Sequence, residues 1–234
     1  MAIDFSYYTD KGKVRQKNED SVFAAADGDT GIFAVADGMG GHYGGDIAGN
    51  ALTDSIKKWW EDFLRCRTDF DSAKENLKGT ICRVNGQLYS EYAARGTICG
   101  TTAAVLLVSG DKYAAINSGD SRIYSCHFLK LRQESMDQTV GNLFSEEDRQ
   151  RAGKLISAVG CRESCELYVR TGNIPKKITF LICSDGLYRY NSEADIRNSM
   201  LFSANSEDII KKLSYNAEKG GAADNYSGIA VKIR

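Results

Sequence analysis

Strands written in blocks, with one block of two long helices set between them, predict an α+β layered fold rather than alternating βαβ units. Two observations carry this. Apolar residues recur at helical spacing from Asp46 to Cys66 (Ile47, Leu52, Ile56, Trp59, Trp60, Phe63, Leu64) and again from Phe70 to Tyr92 (Leu77, Ile81, Val84, Leu88, Tyr92). On either side of that pair the pattern shifts to period two or to short apolar runs bounded by Gly, Asp and Ser. The 234 residues, 42% hydrophobic and 26% charged, suffice for one large domain with a well-buried core. No repeat or linker divides them.

The elements follow in order. Asp4 to Tyr8 alternates as a short strand. Gly12 to Asp20 is a polar loop in which cations and acids stand together. Ser21 to Ala26 is a strand, Asp27 to Gly31 a hairpin turn, and Gly31 to Ala36 the next strand. The two helices come next, joined by a short polar link that reads as an antiparallel pair. Trp59 and Trp60 are expected in the core. Thr101 to Val108, Tyr113 to Asn117, Arg122 to Cys126 and Phe128 to Arg132 read as successive strands joined by tight turns. Gln133 to Gly160 is polar and irregular, with a short helix capped by Ser145. Strands resume at Glu166 to Arg170 and Lys177 to Ser184. Ala194 to Met200 and Ser206 to Ala217 read as helices, the second capped by Ser206. Ser227 to Ile233 is the last strand.

Composition excludes several classes. A formal net charge of −1 gives no global field for nucleic acid or an anionic membrane. No apolar run is long enough to span a bilayer, and the first residues lack a basic region followed by an apolar one. The seven cysteines are scattered, odd in number and without a CxxC pair, as expected for reduced thiols in a cytoplasm. Arg67 and Arg83 directly follow Cys66 and Cys82; Cys126 and Cys183 do stand at Cys-x5-Arg spacing from Arg132 and Arg189, but both end apolar runs, where a reduced thiol acts as a small hydrophobe, and no cysteine is expected to be catalytic.

The chemistry lies in acids at strand edges. Asp37 ends an apolar run and enters a glycine-rich turn, Gly38-Met39-Gly40-Gly41-His42. Alone this is a common way to write a turn. Asp185 repeats the pattern after Ile178 to Ser184, Asp224 precedes the last strand, Asp120 follows Ser118-Gly119, and Glu19 and Asp20 precede the second strand. Acids repeated at strand edges can converge on one point if the strands are neighbours in a sheet. A carboxylate set beside bare glycine backbone suits a hard divalent cation. Arg15, in the same loop as Glu19 and Asp20, could fork onto a phosphate.

Taken together, Arg15-…-Asn18-Glu19-Asp20, Val35-Ala36-Asp37-Gly38-Met39-Gly40-Gly41-His42, Gly100-Thr101-Thr102-Ala103, Asn117-Ser118-Gly119-Asp120-Ser121-Arg122, Cys183-Ser184-Asp185-Gly186-Leu187 and Asp224-Asn225-Tyr226-Ser227 resemble the protein phosphatase 2C family of metal-dependent serine/threonine phosphatases, in their compact bacterial form. The resemblance covers nearly the whole chain. It implies two antiparallel sheets packed as a sandwich with helices on the outer faces, forming one catalytic domain over 1–234 with a short flap at about 133–160. It implies two Mn²⁺ or Mg²⁺ ions at one end. Asp37 would bridge both; Asp185 and Asp224 would complete the first site. The Gly38 carbonyl and Glu19 would hold the second, Asp20 would anchor bound waters, and Arg15 would bind the substrate phosphate. Asp120, with Asp185, corresponds to an acid pair that can hold a third, weaker ion. A hydroxide shared by two ions would then attack phosphorus in line, with no covalent phospho-enzyme.

The chain departs from the family in two places. Met39 stands where many eukaryotic members carry a histidine, leaving leaving-group protonation to a bound water or to His42. The flap is short, its nearest match being Met136-Asp137-Gln138-Thr139, and Ile156 to Gly160 resembles its end. The expected partners are phosphorylated proteins and an opposing Ser/Thr kinase, with no nucleic acid or membrane, and the expected state is a monomer. The alternatives are a non-catalytic module that keeps the fold, and a phosphatase of small molecules or a regulator with the same core.

Overall fold

The computed structural model describes residues 1–39, 44–139 and 157–234. Two antiparallel sheets stack face to face. One has the order β1 (Ile3–Asp10), β11 (Tyr226–Ile233), β10 (Ile178–Cys183), β7 (Arg122–His127), β8 (Lys130–Gln133). The other runs β2 (Asp20–Asp27), β3 (Thr30–Met39), β5 (Ala103–Ser109), β6 (Lys112–Ser118), β9 (Tyr168–Asn173), with the short β4 (Gly100–Thr101) continuing the edge of β3. Helices α1 (Gly45–Cys66) and α2 (Phe70–Ala93) cover the second sheet; α3 (Asp185–Tyr188), α4 (Glu193–Phe202) and α5 (Ser206–Lys219) cover the first.

Period two creates the layers. Along β3, Phe33 and Val35 enter the core between the sheets, while Ile32, Ala34 and Ala36 turn outward to α1 and α2. Along β5, Ala104, Leu106 and Val108 face inward; Ala103, Val105 and Leu107 face the helices. On the other sheet, Phe180 and Ile182 point between the sheets, and Leu181 and Cys183 pack under α3 to α5. Central strands buried on both faces read as continuous apolar runs because both sides are covered. Trp59 and Trp60 stack with Phe63 in the helix layer, at centroid distances of 5.4 and 5.7 Å, as expected.

Four local expectations need correction. β3 does not end at Ala36: it runs through Asp37 to Met39, because Gly38 and Met39 pair with Thr101 and Gly100. Ile47, placed on the apolar face of α1, is 53% exposed, since that face meets the sheet only from Ala48 onward. Phe128 and Leu129 are not strand but the two-residue turn closing His127 onto Lys130, both at positive φ (47° and 28°) and both exposed. The N-cap of α5 is Asn205, whose Oδ1 accepts the Asp208 N–H at 2.8 Å; Ser206 bonds Asp4 instead, through N–H and Oγ, both at 2.9 Å. The short helix expected at Ser145 and most of the flap lie outside the described residues.

All the motif turns fall at one end of the sandwich. Asp20 and Asp37 are direct cross-strand partners. Asp185 follows β10, Asp224 precedes β11, and Asp120 lies in the turn between β6 and β7. Among the described residues, no helix is long and apolar enough to cross a membrane.

The core between the sheets lies behind that end. Phe180 is fully buried and packs against the Tyr113 ring at 5.0 Å. Phe180→Ala should destabilise the protein by about 3–5 kcal/mol, read as a lowered urea midpoint; a loss under about 1 kcal/mol would show that the sheets do not depend on this contact.

Candidate metal centre

Asp37, Asp20 and the arginine loop are each held by neighbours that other motifs supply. The Asp37 N–H donates to Thr102 Oγ1 at 2.9 Å, and the Thr102 N–H returns to the Asp37 carbonyl at 2.9 Å. Thr102 Oγ1 in turn meets Ser121 Oγ at 2.6 Å, so two separate motifs brace the end of β3. Asp20 Oδ2 accepts from Ser184 Oγ at 2.7 Å, and Ser184 Oγ accepts the Ser227 N–H at 3.0 Å. Asn225 ties the arginine loop down. Its Oδ1 takes the Glu19 N–H at 2.9 Å, and its Nδ2 donates to the carbonyls of Lys17 (2.8 Å) and Lys11 (2.9 Å).

Two glycines matter because nothing else fits. A Cβ on Gly38 would stand 2.0 Å from the Gly45 carbonyl oxygen and 2.6 Å from that of Glu19. A Cβ on Gly186 would stand 2.0 Å from the Asn225 carbonyl oxygen. Bare backbone therefore lets the motif turns touch. The point where a Gly45 Cβ would sit lies 2.7 Å from Glu19 Oε1 and 2.9 Å from the Gly38 carbonyl oxygen, so these two oxygens face a common pocket.

The electrostatics show that the acids share one space. Burial pushes the Asp37 carboxyl well above its ordinary range, and the charges of Asp20, Asp185, Asp120 and Asp224 push it further. Burial lifts Asp20 to about 7 despite hydrogen bonds from Ser227 and Ser184, with Asp185 and Asp224 adding to the shift. Asp120 rises to about 6, through burial and then the charge of Asp185. Asp185 is raised by burial and by Asp224, is relieved by Arg189, and is in hydrogen-bonding contact with Asp37. Two guanidiniums meet this charge. Arg15 forks onto Asp224 through Nε (2.8 Å) and Nη2 (2.9 Å), and Arg189 Nη2 reaches Asp185 Oδ2 at 2.8 Å.

The sequence-predicted residues thus gather as follows. Asp20, Asp37, Asp120, Asp185 and Asp224 interact at one mouth; the Gly38 carbonyl and Glu19 form its second pocket; Arg15 lies on the rim, about half exposed. His42 lies outside the described residues. Among the described residues, no three His, Cys, Asp or Glu side chains stand in a finished coordination shell; Arg15 and Arg189 hold two of the acids instead. The donor set still fits hard divalent ions. Every donor is oxygen. Asp20 Oδ1 is buried with no hydrogen-bond partner, and four neighbouring acids raise the cost of ionising Asp37.

Sequence reasoning missed Arg189, which it weighed only against Cys183. The signal was present: Arg189 stands four residues after Asp185, the spacing of an ion pair along a helical turn. It also assigned no task to Arg122, which clamps Asp137 with bonds of 2.7–3.1 Å and lies over the Tyr188 ring at 3.8 Å. That clamp ties the segment after β8 to the start of β7. Cys183 is buried and its thiol is pushed up, so it is no nucleophile.

If Thr102 fixes Asp37, Thr102→Val should cost about 1–3 kcal/mol, because it strands the Asp37 N–H. It should also weaken Mn²⁺ binding by about 10-fold or more in a calorimetric titration. Wild-type stability with wild-type affinity would remove Thr102 from the support of the site.

The Protein phosphatase 2C family profile matches residues 10–222. The chain is 28% identical to "Serine/threonine phosphatase stp" of Listeria monocytogenes serotype 4b, over 97% of this chain and 94% of that one. It is 26% identical to "Serine/threonine protein phosphatase PstP" of Mycobacterium tuberculosis, over all of this chain and 45% of that one. Among solved structures, PppA of Pseudomonas aeruginosa superposes with a TM-score of 0.88 at 26% identity, over 99% and 97% of the two chains. The catalytic domain of PstP, determined in complex with 2 manganese ions, superposes with a TM-score of 0.83 at 25% identity, over 99% of each chain. Profile, relatives and sandwich agree: the chain belongs to the protein phosphatase 2C family of metal-dependent serine/threonine phosphatases.

Proposed function

We propose that this chain hydrolyses phosphoserine and phosphothreonine in proteins, and that the residues gathered at the sandwich mouth carry the reaction. The single observation behind the residue assignment is that Asp20, Asp37, Asp120, Asp185 and Asp224 act on one another's charge beside a half-exposed arginine. Asp37, Asp185 and Asp224 would hold one ion. Asp37, the Gly38 carbonyl and Glu19 would hold the other, and Asp120 with Asp185 a third, weaker one. Two Mn²⁺ or Mg²⁺ ions held there supply Lewis-acid activation of a water and neutralise phosphate charge.

This chain's own groups do the rest. Arg15 presents a planar fork whose donors match two phosphate oxygens, and its half-exposed position lets it exchange Asp224 for substrate. Asp20, fixed by Ser184 and Ser227, has a free Oδ1 that accepts a hydrogen bond from a water in the cleft. Asp37 is too firmly braced to drift, so the reacting geometry is set by the fold. The thiols take no part.

We further read residues 1–234 as one catalytic domain, with a short flap at about 133–160 that shapes substrate choice together with the Arg15 loop and the surface near His42. We read the active form as a monomer. The free thiols fit a reducing cytoplasm. Relatives named serine/threonine phosphatase support phosphoproteins as substrates; a cognate Ser/Thr kinase would be the opposing activity.

With p-nitrophenyl phosphate and a phosphothreonine peptide, turnover should require added Mn²⁺, vanish with EDTA, survive thiol alkylation, and be lost in a folded Asp185→Asn variant. Metal-independent, thiol-sensitive turnover would overturn the assignment. Arg15→Ala should raise KM about 10-fold with a smaller loss in kcat, measured by steady-state kinetics; an unchanged KM would remove Arg15 from phosphate binding.

A further inference from the structure

Away from the acids, two cysteines from distant parts of the chain meet. Cys82, on α2, is exposed; Cys165, in the segment that leads into β9, is partly buried against the helix-side core. Cys82 is the neighbouring group that acts on the Cys165 thiol. The surrounding structure fixes that approach. Asn85, buried and three residues further along the same face of α2, donates Nδ2 to the carbonyls of Arg162 (3.0 Å) and Glu163 (3.1 Å), and its Oδ1 accepts the Gly160 N–H at 2.8 Å. The segment that leads to Cys165 is therefore already seated on α2, one helical turn from Cys82.

The other thiols are placed differently. Cys66 is exposed at the end of α1, Cys99, Cys126 and Cys183 are buried, and Cys161 Sγ faces Met39 Sδ at 3.8 Å. Only Cys82 of the pair is open to a small oxidant. Burial first, then the nearby Cys82, pushes the Cys165 thiol up to about 12, so Cys165 keeps its proton and acts second.

We propose that Cys82 and Cys165 are an oxidant-responsive site at which a reversible disulfide clamps residues 157–167 to α2. With a peroxide as oxidant, the Cys82 thiolate attacks one peroxide oxygen, the O–O bond breaks, and hydroxide leaves, giving a sulfenic acid. Cys165, on losing its proton, attacks Cys82 Sγ and displaces a second hydroxide. Two thiols are oxidised, one peroxide is reduced, and the released protons and hydroxides make two waters. The clamp bears on the metal centre through the same segment. Val159 exchanges both backbone hydrogen bonds with Thr101 at 2.9 Å, next to the Thr102 that braces Asp37, and Ser157 Oγ meets Ser118 Oγ at 3.1 Å.

The test is mild hydrogen peroxide on the intact chain, followed by alkylation, digestion and mass spectrometry, with thermal unfolding in parallel. A peptide linking Cys82 to Cys165 should form, both thiols should escape alkylation, and the midpoint should rise by about 5 °C. Dithiothreitol should reverse all three. Cys82→Ser and Cys165→Ser should each abolish the rise, and Cys161→Ser should keep it. A different linked pair, over-oxidised Cys82 with Cys165 still alkylatable, or an unchanged midpoint would overturn the proposal; the wild-type mapping decides it even if a serine variant fails to fold.

Discussion

Two carboxylates set directly opposite each other on neighbouring strands are the constraint from which the rest of this structure follows. The register of β2 on β3 pairs Asp20 with Asp37, and like charges in that position repel. Three further acids join them from other turns, so their charges raise one another's proton affinity. Such a cluster is a liability to folding unless cations neutralise it. The protein meets part of the charge with Arg15 and Arg189, and its all-oxygen donor set leaves the remainder to divalent ions.

The layered fold makes that concentration of charge tolerable. Central strands buried on both faces form a stiff double sheet, and the acids are confined to one end of it. Bracing comes from small polar side chains that reach across motifs: Thr102 with Ser121, Ser184 with Ser227, and Asn225 with the arginine loop. Each of these partners belongs to a different turn from the acid it supports. The site is thus assembled by tertiary contacts, and no single segment could form it alone. Gly38 and Gly186 matter for the same reason, since a side chain at either would force the turns apart.

The sequence was most legible where periodicity was strong. The two long helices and the central strands β3, β5, β10 and β11 follow from their apolar spacing, and the blocks of strands around the helices implied the layered class. Asp37, Asp120 and Asp185 were found because each stands beside glycine at the edge of an apolar run, and Glu19, Asp20 and Asp224 because each precedes such a run. What failed were effects set by tertiary partners. Asp37 looked like a strand end, but β4 extends the pairing past it. Phe128 and Leu129 looked like strand, yet the register of His127 on Lys130 leaves them only a turn. Ser206 looked like a cap, but Asp4 claims it and Asn205 caps instead. Arg189 escaped notice because its partner lies on a single helical turn that carries no periodic signal.

The central claim is that acids remote in sequence share divalent ions through Asp37. Anomalous diffraction from crystals equilibrated with Mn²⁺ tests it most directly. Two strong peaks should flank the Asp37 carboxylate, one within bonding distance of Asp185 and Asp224, the other of the Gly38 carbonyl and Glu19. Crystals of the folded protein with saturating Mn²⁺ and no peak at Asp37 would contradict it.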